Sequence, residues 1–202
     1  MSRGAHKLLG ALDAFWVDPS GRRCLDAGAS TGGFTEVLLS RGAEHVVAVD
    51  VGYGLLAWSL RTDDRVTVIE RVNARSLEPS QVGAPPSLVV ADLSFIPLGL
   101  VLPALVRCAQ PDADLLPMVK PQFEVGKEAL PAGGVVRDPQ ARADAVRRVA
   151  SQAHDLGLGV LGVVASPLPG PSGNVEYFLH LRRGAPPLDD AALTRAVQSG
   201  PQ

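Results

Sequence analysis

Long apolar runs, paired cysteines and an excess of either charge are all missing from this sequence. No stretch approaches the roughly 18 to 20 uninterrupted apolar residues of a membrane-spanning helix, and Met1-Ser2-Arg3-Gly4 lacks the apolar run of a signal peptide. The only cysteines, Cys24 and Cys108, sit inside apolar runs without metal-type spacing. Buried free thiols are expected there, which excludes a disulfide framework and leaves no metal site, and the four histidines have no ligand spacing either. The charges nearly cancel, 19 Lys and Arg against 21 Asp and Glu. With 46% hydrophobic residues this excludes a natively unfolded chain, and it counts mildly against a nucleic-acid partner, because phosphate neutralisation draws on a basic surface. What remains in 202 residues is one packed core in a soluble, cytoplasmic chain.

Short apolar runs alternate with segments of helical period, so the chain reads as α/β. Leu8-Leu9, Leu12 and Phe15-Trp16 predict an opening amphipathic helix that ends near Asp18-Pro19-Ser20-Gly21. Strands are expected at Arg23 to Gly28, His45 to Asp50, Val66 to Ile69, Leu88 to Asp92, Leu115 to Val119, Val160 to Ala165 and Val175 to Leu181. Helices are expected at Gly33 to Arg41, Leu55 to Leu60, Leu98 to Cys108, where Pro103 should end a turn or bend the helix, and Ala141 to Leu156. Pro121 to Asp138 reads as a long loop, and 184–202 as a weak terminal helix or frayed tail behind a unit spanning 1–183.

In a sheet of this kind the functional loops lie at the carboxyl ends of the strands. Asp26, Asp50, Asp92 and Lys120 all fall there. The loop Asp26-Ala27-Gly28-Ala29-Ser30-Thr31-Gly32-Gly33 follows a strand and opens a helix, where backbone N–H groups can receive a polar ligand. Against the dinucleotide fingerprint G-x-G-x-x-G, Gly28 and Gly33 match but Ser30 replaces the middle glycine, which disfavours a pyrophosphate. A carboxylate that starts the loop and a second, Asp50, that ends the next strand suit a ligand with an amino-acid end and a ribose. S-adenosylmethionine is such a ligand, with Asp26 serving its ammonium end through the loop, Ser30, Thr31 and Gly32 lining it, and Asp50 accepting from the ribose hydroxyls.

The runs Ser2-Arg3-Gly4-Ala5-His6-Lys7-Leu8, Asp26 to Thr35, Asp92-Leu93-Ser94-Phe95-Ile96, Lys120-Pro121-Gln122-Phe123-Glu124 and Gly173-Asn174-Val175-Glu176 stand in this order over nearly the whole chain. In this respect the sequence resembles the TlyA-type ribosomal RNA 2′-O-methyltransferases, also called haemolysin A, among the FtsJ-like methyltransferases. The resemblance implies a Rossmann-like class I methyltransferase fold, a mostly parallel seven-stranded sheet with helices on both faces. It also implies S-adenosylmethionine as cofactor and ribosomal RNA or ribosomal subunits as partner, with cytidine as target. The family's Lys-Asp-Lys-Glu tetrad falls on Lys7, Asp92, Lys120 and Glu176. A ribose hydroxyl is a weak nucleophile, and a lysine serves as its base only where burial or a nearby cation favours the neutral amine, while adjacent carboxylates oppose it. Lys120 is the candidate base and Lys7 the nearby cation; Asp92 and Glu176 orient amines and hydroxyl.

The resemblance further implies a small basic RNA-binding domain ahead of the methyltransferase unit. These 202 residues do not contain it. They are expected to be the catalytic part of a longer protein, or alternatively a complete chain acting on a partner-delivered RNA. Arg137, Arg142, Arg147 and Arg148 form a modest basic cluster able to touch phosphates, and Lys127 to Arg137, with Gly133-Gly134, is a candidate lid. A small-molecule methyltransferase would need an enclosed substrate pocket and would have no use for Lys7. A membrane-active haemolysin would need an amphipathic or apolar inserting segment, and the sequence has none.

Overall fold

The computed structural model describes residues 2–126 and 130–201. Helix α1 (Arg3–Phe15) is capped by the Ser2 side chain, which accepts from the Ala5 N–H, and it ends where Trp16 turns left-handed. Its Ala5, Leu8, Ala11 and Leu12 recur at three- and four-residue spacing and are all buried. Burial of Leu8 and Leu12 contributes about 1.5–3 kcal/mol each, which docks the helix that carries Lys7. After it come β1 (Arg23–Ala27), α2 (Gly33–Ser40), β2 (His45–Val49), α3 (Trp58–Arg61), β3 (Val66–Ile69), α4 (Pro79–Val82) and β4 (Leu88–Ala91). The second half holds α5 (Leu102–Cys108), β5 (Asp114–Val119), α6 (Pro121–Glu124), α7 (Pro139–Asp155), β6 (Leu158–Ala165), β7 (Tyr177–Arg183) and α8 (Asp190–Ser199).

The strands form one seven-stranded sheet in the order β3-β2-β1-β4-β5-β7-β6. Five run parallel, and β7 lies antiparallel between β5 and β6. Alternate side chains supply two apolar layers, one packed with α1 and α2 through Cys24, Val46, Val90 and Met118, the other with α5, α7 and α8 through Leu25, Val47, Val89 and Leu115. This is the doubly wound α/β architecture. Chain order reverses beside β1, so the ends of β1, β2, β4 and β5 open into one crevice.

Several expected boundaries move. Pro97 introduces a 3₁₀ turn at Leu98–Leu100, and α5 starts only at Leu102, so Pro103 sits in a first turn where no N–H is required and nothing bends. The expected helix from Leu55 shrinks to Trp58–Arg61. The loop after β5 contains α6, and α7 begins at Pro139, capped by Asp138. Glu176 was expected within the last strand but precedes β7. The terminal segment forms α8, whose Leu193 and Ala196 are buried against the core.

Candidate active site

The glycine loop is built by close approach. Gly28 has φ 89°, and a Cβ there would stand 2.3 Å from the Asp92 carbonyl oxygen. Gly32 has φ 101° and would meet the Leu60 side chain. The loop amides turn inward: Gly28 and Ala29 donate to Val49 O, Ser30 to Asp50 Oδ2 and Gly32 to Ala29 O. These four N–H groups are therefore spent within the protein, which narrows the expectation that the loop's N–H groups receive a ligand to Thr31 and Gly33. Asp50, just past β2, also accepts from Gly52 N–H at 2.7 Å, so its carboxylate stitches two loops together while keeping lone pairs for a ligand hydroxyl. Asp26 lies beneath the loop, fully buried, with one oxygen accepting from Thr35 Oγ1 at 2.7 Å and the other unpartnered. Burial pushes its pKa up to about 7, against the opposing Thr35 bond.

Beside the loop, two lysine–carboxylate pairs form. Lys120, directly after β5, places Nζ 2.6 Å from Asp92 Oδ1 and donates to Ser94 Oγ at 3.0 Å. Lys7 on α1 places Nζ 2.5 Å from Glu176 Oε2. The second pair is enclosed, and a Cβ on Gly170 would press against Glu176 Oε1. The adjacent Asn174 is buried as well; it accepts from Val136 N–H and donates to Gly134 O, tying the described part of the candidate lid to the turn that carries Glu176. The first three residues of that expected lid, Lys127 to Ala129, lie outside the described residues.

These groups border three neighbouring hollows that share lining residues. One, of about 530 Å³, runs from Gly28, Ser30 and Asp50 past Val51, Leu55, Val72 and Leu100 to Asp92. A second, of about 330 Å³, continues from Gly28, Ser30 and Asp92 along Thr31 and Gly33 to the start of α1. The third, of about 850 Å³, has Lys120, Gln122, Phe123 and Glu176 in its wall. Ser94, Phe95 and Pro97 form the partition between the first and the third. Asp26 reaches none of them. Phe95 stood in one of the runs that carry the resemblance but was given no role of its own. It is 90% exposed, with φ 64°, and its ring packs tilted against Phe123, 5.1 Å between centroids. Its signal was position, three residues after a strand-end aspartate.

The sequence profile of the FtsJ-like methyltransferases matches residues 1–183. This chain belongs to that family. The 16S/23S rRNA (cytidine-2′-O)-methyltransferase TlyA of Mycobacterium tuberculosis is 65% identical over all of this chain and 77% of its own length. Hemolysin A of Brachyspira hyodysenteriae is 36% identical over 89% of this chain and 75% of its own length. The solved structure of a hemolysin-named protein from Streptococcus thermophilus superposes with a TM-score of 0.93 at 40% identity, covering 98% of this chain and 73% of that one.

Other features of this FtsJ-like chain fall outside the crevice. Arg147 is held by Asp144 and Asp190, and Arg142 donates to Val136 O, so half of the expected basic cluster is committed to internal bonds. Arg137 and Arg148 remain exposed. Among the described residues no helix is long and apolar enough to cross a membrane, and no group of three His, Cys, Asp or Glu gathers for a metal.

Proposed function

We propose that the chain transfers the methyl group of S-adenosylmethionine to a ribose 2′-hydroxyl of ribosomal RNA, at a cytidine. The observation that carries this reading is the Lys120–Asp92 pair, which stands where the hollow under the glycine loop meets the hollow lined by Lys120 and Glu176. When bound, S-adenosylmethionine supplies a methyl group on a positively charged sulfur. The hollow of about 530 Å³ bordered by Gly28, Ser30 and Asp50, with its run of apolar walls from Val51 to Leu100, fits it. Asp50 would accept from its ribose, and Ser30, Thr31, Gly32 and Gly33 would flank its amino-acid end, while Asp26 supports the loop from below.

Lys120 Nζ, in its neutral form, is the group positioned to receive the hydroxyl proton; Asp92 then balances the ammonium so formed, and Ser94 fixes the direction of the amine. Glu176 faces the same hollow and Lys7 holds it in place, so the second pair orients the incoming ribose. The relative from Mycobacterium tuberculosis, a 16S/23S rRNA (cytidine-2′-O)-methyltransferase by name, supports this reading. On this reading the protein works in the cytoplasm with the ribosome, and tight RNA binding draws on a basic domain ahead of this unit. Affinity of these residues alone for ribosomal RNA is then low and steeply salt-dependent.

The direct test incubates separated ribosomal subunits with radiolabelled S-adenosylmethionine and maps the label by mass spectrometry of RNA digests. The expected product is 2′-O-methylcytidine. Label on a base, or only in a small-molecule fraction, refutes the assignment.

A further inference from the structure

The run Lys120 to Glu124 grips the loop after β4 at three points. Lys120 donates to Ser94 Oγ, the Phe123 ring packs tilted against Phe95, and Glu124 Oε1 accepts from the backbone N–H of Leu98 at 2.8 Å. The first two grips are partly open to solvent; the third is buried, and Glu124 itself is 4% exposed. Glu124 lines neither large hollow, so it has no direct part in the chemistry proposed above. Yet the loop it holds carries Asp92, Ser94 and Phe95. Phe95 has a left-handed backbone, which a residue with a Cβ keeps only where its surroundings over-determine it. Just beyond, a Cβ on Gly99 would run into the Gln152 amide, so the far end of the loop is pressed against α7.

We infer that Glu124 is a positioning residue for methyl transfer: its buried carboxyl clasps the Leu98 backbone and so fixes the 92–98 loop, with Asp92 and Phe95, against α6. The inference rests on the transferase reading above. Glu124 Oε2 is buried without a partner, and burial raises the carboxyl's pKa against the opposing Leu98 N–H and Arg148. With Oε2 unpartnered, Oε1 alone carries the contact, a role an amide oxygen can also fill.

The test compares Glu124→Ala, Glu124→Asp and Glu124→Gln in the full chain by single-turnover transfer to ribosomal subunits, by S-adenosylmethionine titration, and by amide hydrogen exchange at Leu98. Glu124→Ala should slow transfer on the order of 10²-fold, the typical cost of misplacing reacting groups by about 1 Å. Its cofactor affinity should fall far less than its rate, because the loop forms only one wall of the first hollow, and its Leu98 amide should lose protection. Glu124→Gln keeps an acceptor for Leu98 and should keep both rate and protection. Glu124→Asp, too short to reach, should behave like alanine, and it decides the question if the alanine variant does not fold. Parent-like transfer in the aspartate or alanine variant, or a lost rate with Leu98 still protected, overturns the clasp. If the parent itself transfers no methyl group, the transferase reading has failed, and the Leu98 exchange pattern still reports whether the clasp exists.

Discussion

The two lysine–carboxylate pairs look equivalent as residue types, yet the structure gives them different surroundings. Lys7 and Glu176 have side-chain exposures of 7% and 1%, whereas Lys120 and Asp92 have 10% and 25%. An enclosed ion pair suffers a large desolvation cost, and it leaves an uncompensated buried charge if one partner is removed. Both pairs border the large hollow, but only Asp92 is appreciably open to solvent, so the Lys120–Asp92 pair can change its proton at a smaller penalty. The difference separates the groups that hold the site in shape from those that move a proton in it.

The largest stability effect should therefore come from the enclosed pair. Lys7→Ala is expected to lower unfolding stability by about 3–5 kcal/mol, measured by denaturant titration, and Lys120→Ala by only about 1–2 kcal/mol. Equal losses would erase the distinction. A sharper version replaces both enclosed partners with apolar groups: Lys7→Met with Glu176→Leu should recover most of the stability, since a packed apolar pair often matches a buried ion pair, while transfer stays impaired. Recovery of transfer as well would mean that the pair serves only the fold.

Asp26 offers a second contrast, a lone buried carboxyl beneath the loop against the paired ones above it. Its folded pKa of about 7 lies above the ordinary aspartate value, so the folded state holds the proton more tightly than the unfolded chain does. Its contribution to stability is fully present below about pH 4 and is lost as pH rises towards 7, by up to a few kcal/mol. Asp26→Asn should flatten that part of the stability–pH curve, checked by denaturant titrations between pH 4 and 8. An unchanged slope would mean that the carboxyl is ionised in the fold.

The smallest of these effects concerns the cofactor. Asp50→Ala should weaken S-adenosylmethionine binding by about 1–3 kcal/mol in calorimetric titration. Because Asp50 also holds the Ser30 and Gly52 amides, Asp50→Asn is the companion variant: it keeps an acceptor for one of them and should lose less. Parent-like affinity in Asp50→Ala would place the ribose elsewhere.

Much of this was legible in the sequence because strand ends are where sequence order and function coincide. The apolar runs ending at Asp50, Asp92 and Lys120 mark the crevice, and the glycine turn marks where the backbone must approach Asp92. Other features depend on contacts between distant segments. The spacing of Lys7 and Glu176 along the chain does not reveal that they meet. Phe95 and Glu124 stand in runs that carry the resemblance, yet nothing local shows that one is held exposed by loop conformation and the other buried by a backbone bond to Leu98. The inward turn of the Gly28, Ala29 and Ser30 amides follows from the position of β2, which no local pattern encodes. The tail was underestimated because α8 is stabilised by Leu193 and Ala196 packing on the core and not by its own propensity.

The central claim is that Lys120 serves the chemistry and not the binding of the cofactor. The most direct measurement is single-turnover methyl transfer by Lys120→Ala at saturating S-adenosylmethionine and RNA, alongside a cofactor titration of the same variant. The account predicts a rate lower by about 10²–10⁴, the usual contribution of an acid–base group, with cofactor affinity unchanged. Transfer at the parent rate would contradict it and leave Lys120 as a structural cation beside Asp92.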